Sequence, residues 1–130
     1  MANSRLERIL YVEDEPDIQA VARLALEAIG GFQVLVCSSG VEALEKAAAF
    51  KPDLLLLDVM LPDMDGPSTL QALRSLPALG ATPAMFMTAK VQPAEIAHFK
   101  SLGAIDVIAK PFDPMQLSGQ IRDIWGRRRG

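Results

Sequence analysis

Cysteine occurs once in this chain, at Cys37, so no internal disulfide can form, which agrees with a reducing compartment. Set inside an apolar run, that thiol reads as core packing. No stretch approaches the ~18 consecutive apolar residues that a membrane-spanning helix needs. The first ten residues, MANSRLERIL, lack the apolar core of a signal peptide, and the expected location is the cytoplasm. Positive charge is also scarce, with 13 Lys and Arg against 16 Asp and Glu and a net charge of −3. Without a basic field, neither nucleic acid nor an anionic membrane surface is expected as a partner. The Arg127-Arg128-Arg129 run, within residues 126–130, reads as a solvated basic tail. Histidine appears once, at His98 on a polar helix position, and is assigned no role.

What is present is a composition that folds. Half of the residues are apolar and 22% are charged, enough buried surface to offset chain entropy. At 130 residues the expectation is one compact unit over 1–130 with a single hydrophobic core, and no room for a second output domain.

Periodicity sets the order of elements. RILYV is a short strand, taken as about 7–12, that stops at the polar cluster Glu13-Asp14-Glu15-Pro16. A helical period then carries Ile18, Val21, Ala22, Ala25 and Ile29 to the stop at Gly30-Gly31. FQVLVC, about 32–37, is a second strand. Ser38-Ser39 cap a helix with Val41, Leu44, Ala47 and Ala48, which Lys51-Pro52 ends. LLLL before Asp58, about 53–58, is a continuous apolar run suited to a central strand covered on both faces. A turn-rich loop through Gly66-Pro67 leads to a helix with Leu70, Leu73 and Leu76. Strands near 83–87 and 104–109 flank a weaker helix from Gln92 to Leu102, and Asp113-Pro114 predicts the start of a last helix with Leu117, Ile121 and Ile124. Five strands alternating with five helices give the fold class: α/β, a doubly wound, five-stranded parallel sheet.

In such sheets the site forms beyond the carboxyl ends of the strands. Glu13 and Asp14 follow strand one, Asp58 ends strand three, Thr88 ends strand four and Lys110 ends strand five. Two carboxylates ~4 Å apart repel by roughly 4 kcal/mol at an effective dielectric of 20, so positive charge must sit among them. Lys110 supplies one charge, and a hard cation with oxygen ligands supplies more; Mg²⁺ suits few carboxylates, several waters and a phosphate oxygen. A carboxylate so placed can attack a phosphorus whose oxygens are neutralised. Each feature also has a plain reading: an acidic turn, a strand-end cap, a surface lysine, a helix-capping threonine. Only their joint placement points to chemistry.

VEDE, LLLLDVMLPDMDG, MTAK and AIDVIAKPF resemble the motif set of response-regulator receiver domains of two-component systems, the CheY-like family, across nearly the whole chain. The intervals of 44, 30 and 22 residues between Asp14, Asp58, Thr88 and Lys110 each hold one strand-helix-strand step. The resemblance, and not the pattern, implies the strand order 2-1-3-4-5 and a cis Lys110–Pro111 bond. It implies Asp58 as phosphoacceptor, Asp14 as a direct metal ligand, Glu13 as a water-mediated one and the backbone carbonyl of Met60 as a third protein contact. Thr88 and Lys110 would hold phosphoryl oxygens. The metal is expected to be Mg²⁺, with Mn²⁺ as substitute. The partners implied are a sensor histidine kinase or phosphotransfer protein, and a downstream protein docking on the face of helix four, strand five and helix five. Two alternatives stand beside this: a phosphorylation-independent pseudo-receiver acting as an interaction domain, and a metal-dependent hydrolase of external phosphate esters. One position departs from the family: the aromatic expected three residues before the lysine is Val107.

Overall fold

Apolar runs of four or five residues become strands because each is too short to bury a helical stripe and is flanked by turn formers. The computed structural model describes residues 5–128. Its strands are β1 (Arg8–Val12), β2 (Gln33–Cys37), β3 (Leu54–Asp58), β4 (Ala84–Thr88) and β5 (Asp106–Ala109). Its α-helices are α1 (Pro16–Arg23), α2 (Gly40–Phe50), α3 (Gly66–Arg74), α4 (Pro93–Ser101) and α5 (Leu117–Arg127). All four strand pairings are parallel and the order is β2-β1-β3-β4-β5, the doubly wound order implied above. The chain steps outward from β1 to β2, then crosses back over β1 to β3, so the order reverses at the β1/β3 pair and leaves a crevice at their carboxyl ends.

Strand alternation divides the core into two layers. Ile9 and Tyr11 of β1, Leu54 and Leu56 of β3, and Met85 and Met87 of β4 face Ala22, Ala25 and Leu26 and the α5 residues Leu117, Ile121 and Ile124. Leu10, Val12, Leu55, Leu57, Ala84 and Phe86 face Ala43 and Ala47 of α2, Leu70 and Leu73 of α3, and Phe99 of α4. β3 is therefore buried on both sides, all five residues of it. Cutting any one of Leu54–Leu57 to alanine costs about 2–5 kcal/mol.

The helices depart from simple periodicity in four places. Past Arg23 the first helix widens into a π-helical segment, Leu24–Ile29, in which Gly30 N–H donates to the Ala25 carbonyl at 3.1 Å. The buried Ser118 hydroxyl of α5 donates to the same carbonyl at 2.8 Å. The wider turn swings Ile29 outward, and Val21 is also exposed; Leu26 takes the buried place instead. In α2 the buried stripe is Gly40, Ala43 and Ala47, while Val41 faces solvent, because small residues let the helix axis approach the sheet. Asp113-Pro114 opens a turn and not the helix: the Asp113 carboxylate accepts Met115 N–H at 2.9 Å, and α5 begins at Leu117. Finally, residues 126–128 of the expected tail belong to α5 and its cap, with the Arg128 guanidinium 3.8 Å from the Trp125 ring centroid. Residues 129 and 130 lie outside the described residues.

Candidate functional site

Register alone brings two acids side by side. β1 pairs with β3 from Ile9↔Leu54 to Val12↔Leu57, so the next step beyond the ladder sets Glu13 level with Asp58, one strand spacing away. Asp14 follows at the start of the β1–α1 turn. Carboxylate oxygens of Glu13, Asp14 and Asp58 all lie within 4.8 Å of one another. Lys110, brought to the same edge by β5 and anchored by its N–H to the Thr88 carbonyl at 2.9 Å, extends its amine across β4. Nζ donates to Glu13 Oε1 at 3.1 Å and to Asp58 Oδ1 at 3.2 Å. The Lys110–Pro111 peptide is cis, as the resemblance implies.

Burial makes these charges matter. Glu13 is fully buried, Asp58 is 5% exposed, and Asp14 stays open to solvent. Burial, then the neighbouring Glu13 charge, holds the Asp58 carboxyl above its ordinary range, against the pull of Lys110. For Lys110, burial pulls the amine down, but the bonds to Glu13 and Asp58 outweigh it and the net direction is up. Beneath them the buried Tyr11 phenol points at Glu13 Oε1, 3.4 Å away, and burial together with Glu13 keeps it protonated. Gln19 holds the Glu13 backbone carbonyl and donates to Ser38 Oγ at 3.1 Å.

Of the expected residues, the fold gathers Glu13, Asp14, Asp58 and Lys110 into one cluster. Thr88 stands at the same edge, nearly buried, but its hydroxyl accepts the Lys90 N–H at 3.1 Å. Met60 lies in the β3–α3 loop with an exposed side chain. That loop is tightly closed: Gly66 N–H donates to the Val59 carbonyl at 2.8 Å, and a Cβ on Gly66 would stand 2.5 Å from the Asp58 carbonyl oxygen. Sequence reasoning missed Tyr11 and Gln19. Tyr11 could have been found, because the two-residue strand period places it on the same side as Glu13; no local pattern marks Gln19.

A family model described as the response regulator receiver domain matches residues 9–122. The chain belongs to the response regulator receiver domain family. Among receiver-containing relatives, it is 37% identical over 121 residues to the alkaline phosphatase synthesis transcriptional regulatory protein PhoP of Bacillus subtilis, covering 93% of this chain and 49% of that protein. Against the DNA-binding response regulator MtrA of Mycolicibacterium smegmatis the identity is 34% over 116 residues, covering 89% of this chain and 49% of that protein. Among solved receiver structures, the chemotaxis response regulator CheY4 of Vibrio cholerae superposes with a TM-score of 0.84 at 28% identity, covering 92% of this chain and 99% of that one.

The receiver therefore spans about half the length of the curated relatives it matches. This overturns the expectation that nucleic acid is no partner. That expectation rested on the −3 charge of this chain, whereas MtrA is by name DNA-binding and half of its length lies outside the match. The charge of a receiver half does not bear on what the other half of such a protein touches. Among the described residues, no helix is long and apolar enough to cross a membrane.

Proposed function

We propose that this receiver accepts a phosphoryl group on Asp58 from the phosphohistidine of a sensor kinase or phosphotransfer protein, in a Mg²⁺-dependent reaction at the carboxyl edge of the sheet. The observation that carries the reading is the convergence of three acids, with oxygens within 4.8 Å, on one lysine amine that bonds two of them. Three negative charges against one positive leave an excess of two, and every donor is a hard oxygen, a set that fits a divalent cation of the Mg²⁺ or Mn²⁺ type. Asp14 would bind it directly, Glu13 through water, and Asp58 and the Met60 carbonyl would complete the protein's share. When bound, the cation offsets the charge gathering on the phosphoryl oxygens.

In the transfer an Asp58 oxygen attacks phosphorus, the new O–P bond forms as the P–N bond to imidazole breaks, and the departing ring takes a proton from water. Lys110 holds one face of the site positive, where its amine would bond a phosphoryl oxygen as negative charge gathers there. The Thr88 oxygen accepts from Lys90 but keeps its own proton to donate to the phosphoryl group. A hydrogen bond to a charged group is worth ~1.5–3 kcal/mol, enough to shift a two-state loop roughly ten- to hundredfold. With Val107 half-buried against the α2–α3–α4 layer, the change runs through the Thr88 loop without an aromatic ring. Chemistry is confined to self-phosphorylation and self-dephosphorylation, in a receiver unit of 1–130 working in the cytoplasm. In a longer protein, an attached effector acting on DNA is the output that the names of the relatives support.

Incubation with Mg²⁺ and acetyl phosphate is expected to add one phosphoryl mass to the wild type and none to Asp58→Asn. An unmodified wild type, or an adduct persisting in Asp58→Asn, refutes the assignment.

A further inference from the structure

The β3–α3 loop carries an acid that the phosphoryl chemistry does not use. Asp63 reaches from the middle of that loop to the start of α2, where its Oδ1 accepts Gly40 N–H at 3.1 Å and its Oδ2 accepts Val41 N–H at 2.9 Å. The third amide of that helix end, Glu42 N–H, is taken by Ser39 Oγ at 3.1 Å. Two of the first free amides of α2 are thus satisfied by a residue 22 and 23 positions away, across the crevice. The approach is close: a Cβ on Gly40 would stand 2.5 Å from Met64 Cγ and 2.6 Å from Thr69 Oγ1. On its other side the loop is pinned by Gly66 N–H on the Val59 carbonyl at 2.8 Å, and Asp65 caps α3 by accepting Ser68 N–H at 2.8 Å. Met60 lies between these pins.

We propose that Asp63 is a positioning residue for the cation site: by bridging the phosphoacceptor loop to the amino end of α2, it fixes the stretch that presents the Met60 carbonyl before any ion arrives. The inference rests on the function proposed above. A backbone ligand cannot be oriented by rotamer choice, only by what holds the loop, and Asp63 is the one side chain between Asp58 and Asp65 whose carboxylate leaves the loop to bond another element among the described contacts. The negative charge also suits the partial positive charge at a helix start, and the Val41 and Gly40 amides hold the Asp63 carboxyl below the usual carboxylate range.

Residues that orient metal ligands typically change affinity by about 10–100-fold when removed. Asp63 is solvent-exposed and acts through one ligand, so the low end applies. The test is calorimetric titration of the full chain with Mg²⁺ for wild type, Asp63→Ala, Asp63→Asn and Ser39→Ala, with the urea midpoint of each measured without metal. Asp63→Ala is expected to weaken Mg²⁺ about tenfold, and Asp63→Asn, which keeps one acceptor, to fall between. Ser39→Ala removes a bond at the same helix end without touching the loop and is expected to lower the midpoint with unchanged Mg²⁺ affinity. Unchanged affinity in Asp63→Ala, or equal weakening in Ser39→Ala and Asp63→Ala, overturns the inference while the phosphoacceptor reading stands. A wild type that binds no Mg²⁺ overturns both.

Discussion

Replacing Lys110 by methionine removes the only positive charge found within hydrogen-bond range of Glu13 and Asp58 among the described residues. At 3.1 and 3.2 Å each ion pair is attractive by roughly 5 kcal/mol at an effective dielectric of 20. Much of that offsets the desolvation of three charged groups, so the net loss is smaller. What remains after the change is a fully buried Glu13 facing Asp58, with a residual repulsion of roughly 3 kcal/mol at that dielectric. Breaking a buried pair from one side costs about 3–5 kcal/mol, a large share of the ~5–15 kcal/mol that holds a domain together. The melting temperature should fall by about 10–15 °C. Trp125 is the single tryptophan and is buried in the α1–α5 layer, so its fluorescence during urea unfolding reads the loss directly. Two recoveries distinguish electrostatics from lost packing. Mg²⁺ at about a hundred times its Kd adds about 2.7 kcal/mol, and Asp58→Asn in the Lys110→Met background removes the repulsion at its source. A loss under ~1 kcal/mol, or a loss that neither recovery reduces, would show that Lys110 does not neutralise this cluster.

Asp58 itself gives a pH signature in the metal-free protein. Its folded-state carboxyl titrates above the ordinary value of 3.8, so the folded chain keeps a proton that the unfolded chain has released, and stability falls as pH rises through that interval. Asp58→Asn should remove this downward slope and raise the urea midpoint at pH 7; a steeper slope in the variant would contradict the burial argument. Gly66→Ala should cost about 2–3 kcal/mol, because the added Cβ would stand 2.5 Å from the Asp58 carbonyl oxygen and 3.0 Å from Val59 Cα, backbone atoms that cannot rotate away. Thermal melting tests it, and a loss below ~0.5 kcal/mol would mean that the loop relaxes freely. Ser118→Ala should cost about 1 kcal/mol by deleting the buried hydroxyl bond to the Ala25 carbonyl, and faster hydrogen exchange at Gly30 is the accompanying readout; an unchanged midpoint would remove Ser118 from the account of the π-helical segment.

Strand positions and the acids at their ends were legible because both depend on near neighbours in the chain. A run such as LLLL before Asp58 can hide all its side chains only in a strand covered on both faces, and it places Asp58 where that strand stops. Helix faces were less legible. Counting hydrophobic residues favoured Val41 and Ile29, yet α2 turns its smallest residues inward to approach the sheet, and the π-helical segment rotates Ile29 out. Both effects come from what lies opposite the helix.

By itself the sequence determined the alternation of elements, a central strand covered on both faces, and which acids, hydroxyl and amine would stand at strand ends. Family motifs, not periodicity, supplied the strand order. Only the tertiary structure decided that Lys110 reaches Glu13 and Asp58 across 97 and 52 residues, and that Asp63 caps a helix from another element. The physical reason is range. Dihedral preference and hydrophobic period act within a turn or two of the chain, whereas ion pairs and borrowed caps depend on distances that exist only after crossover connections have set one strand beside another.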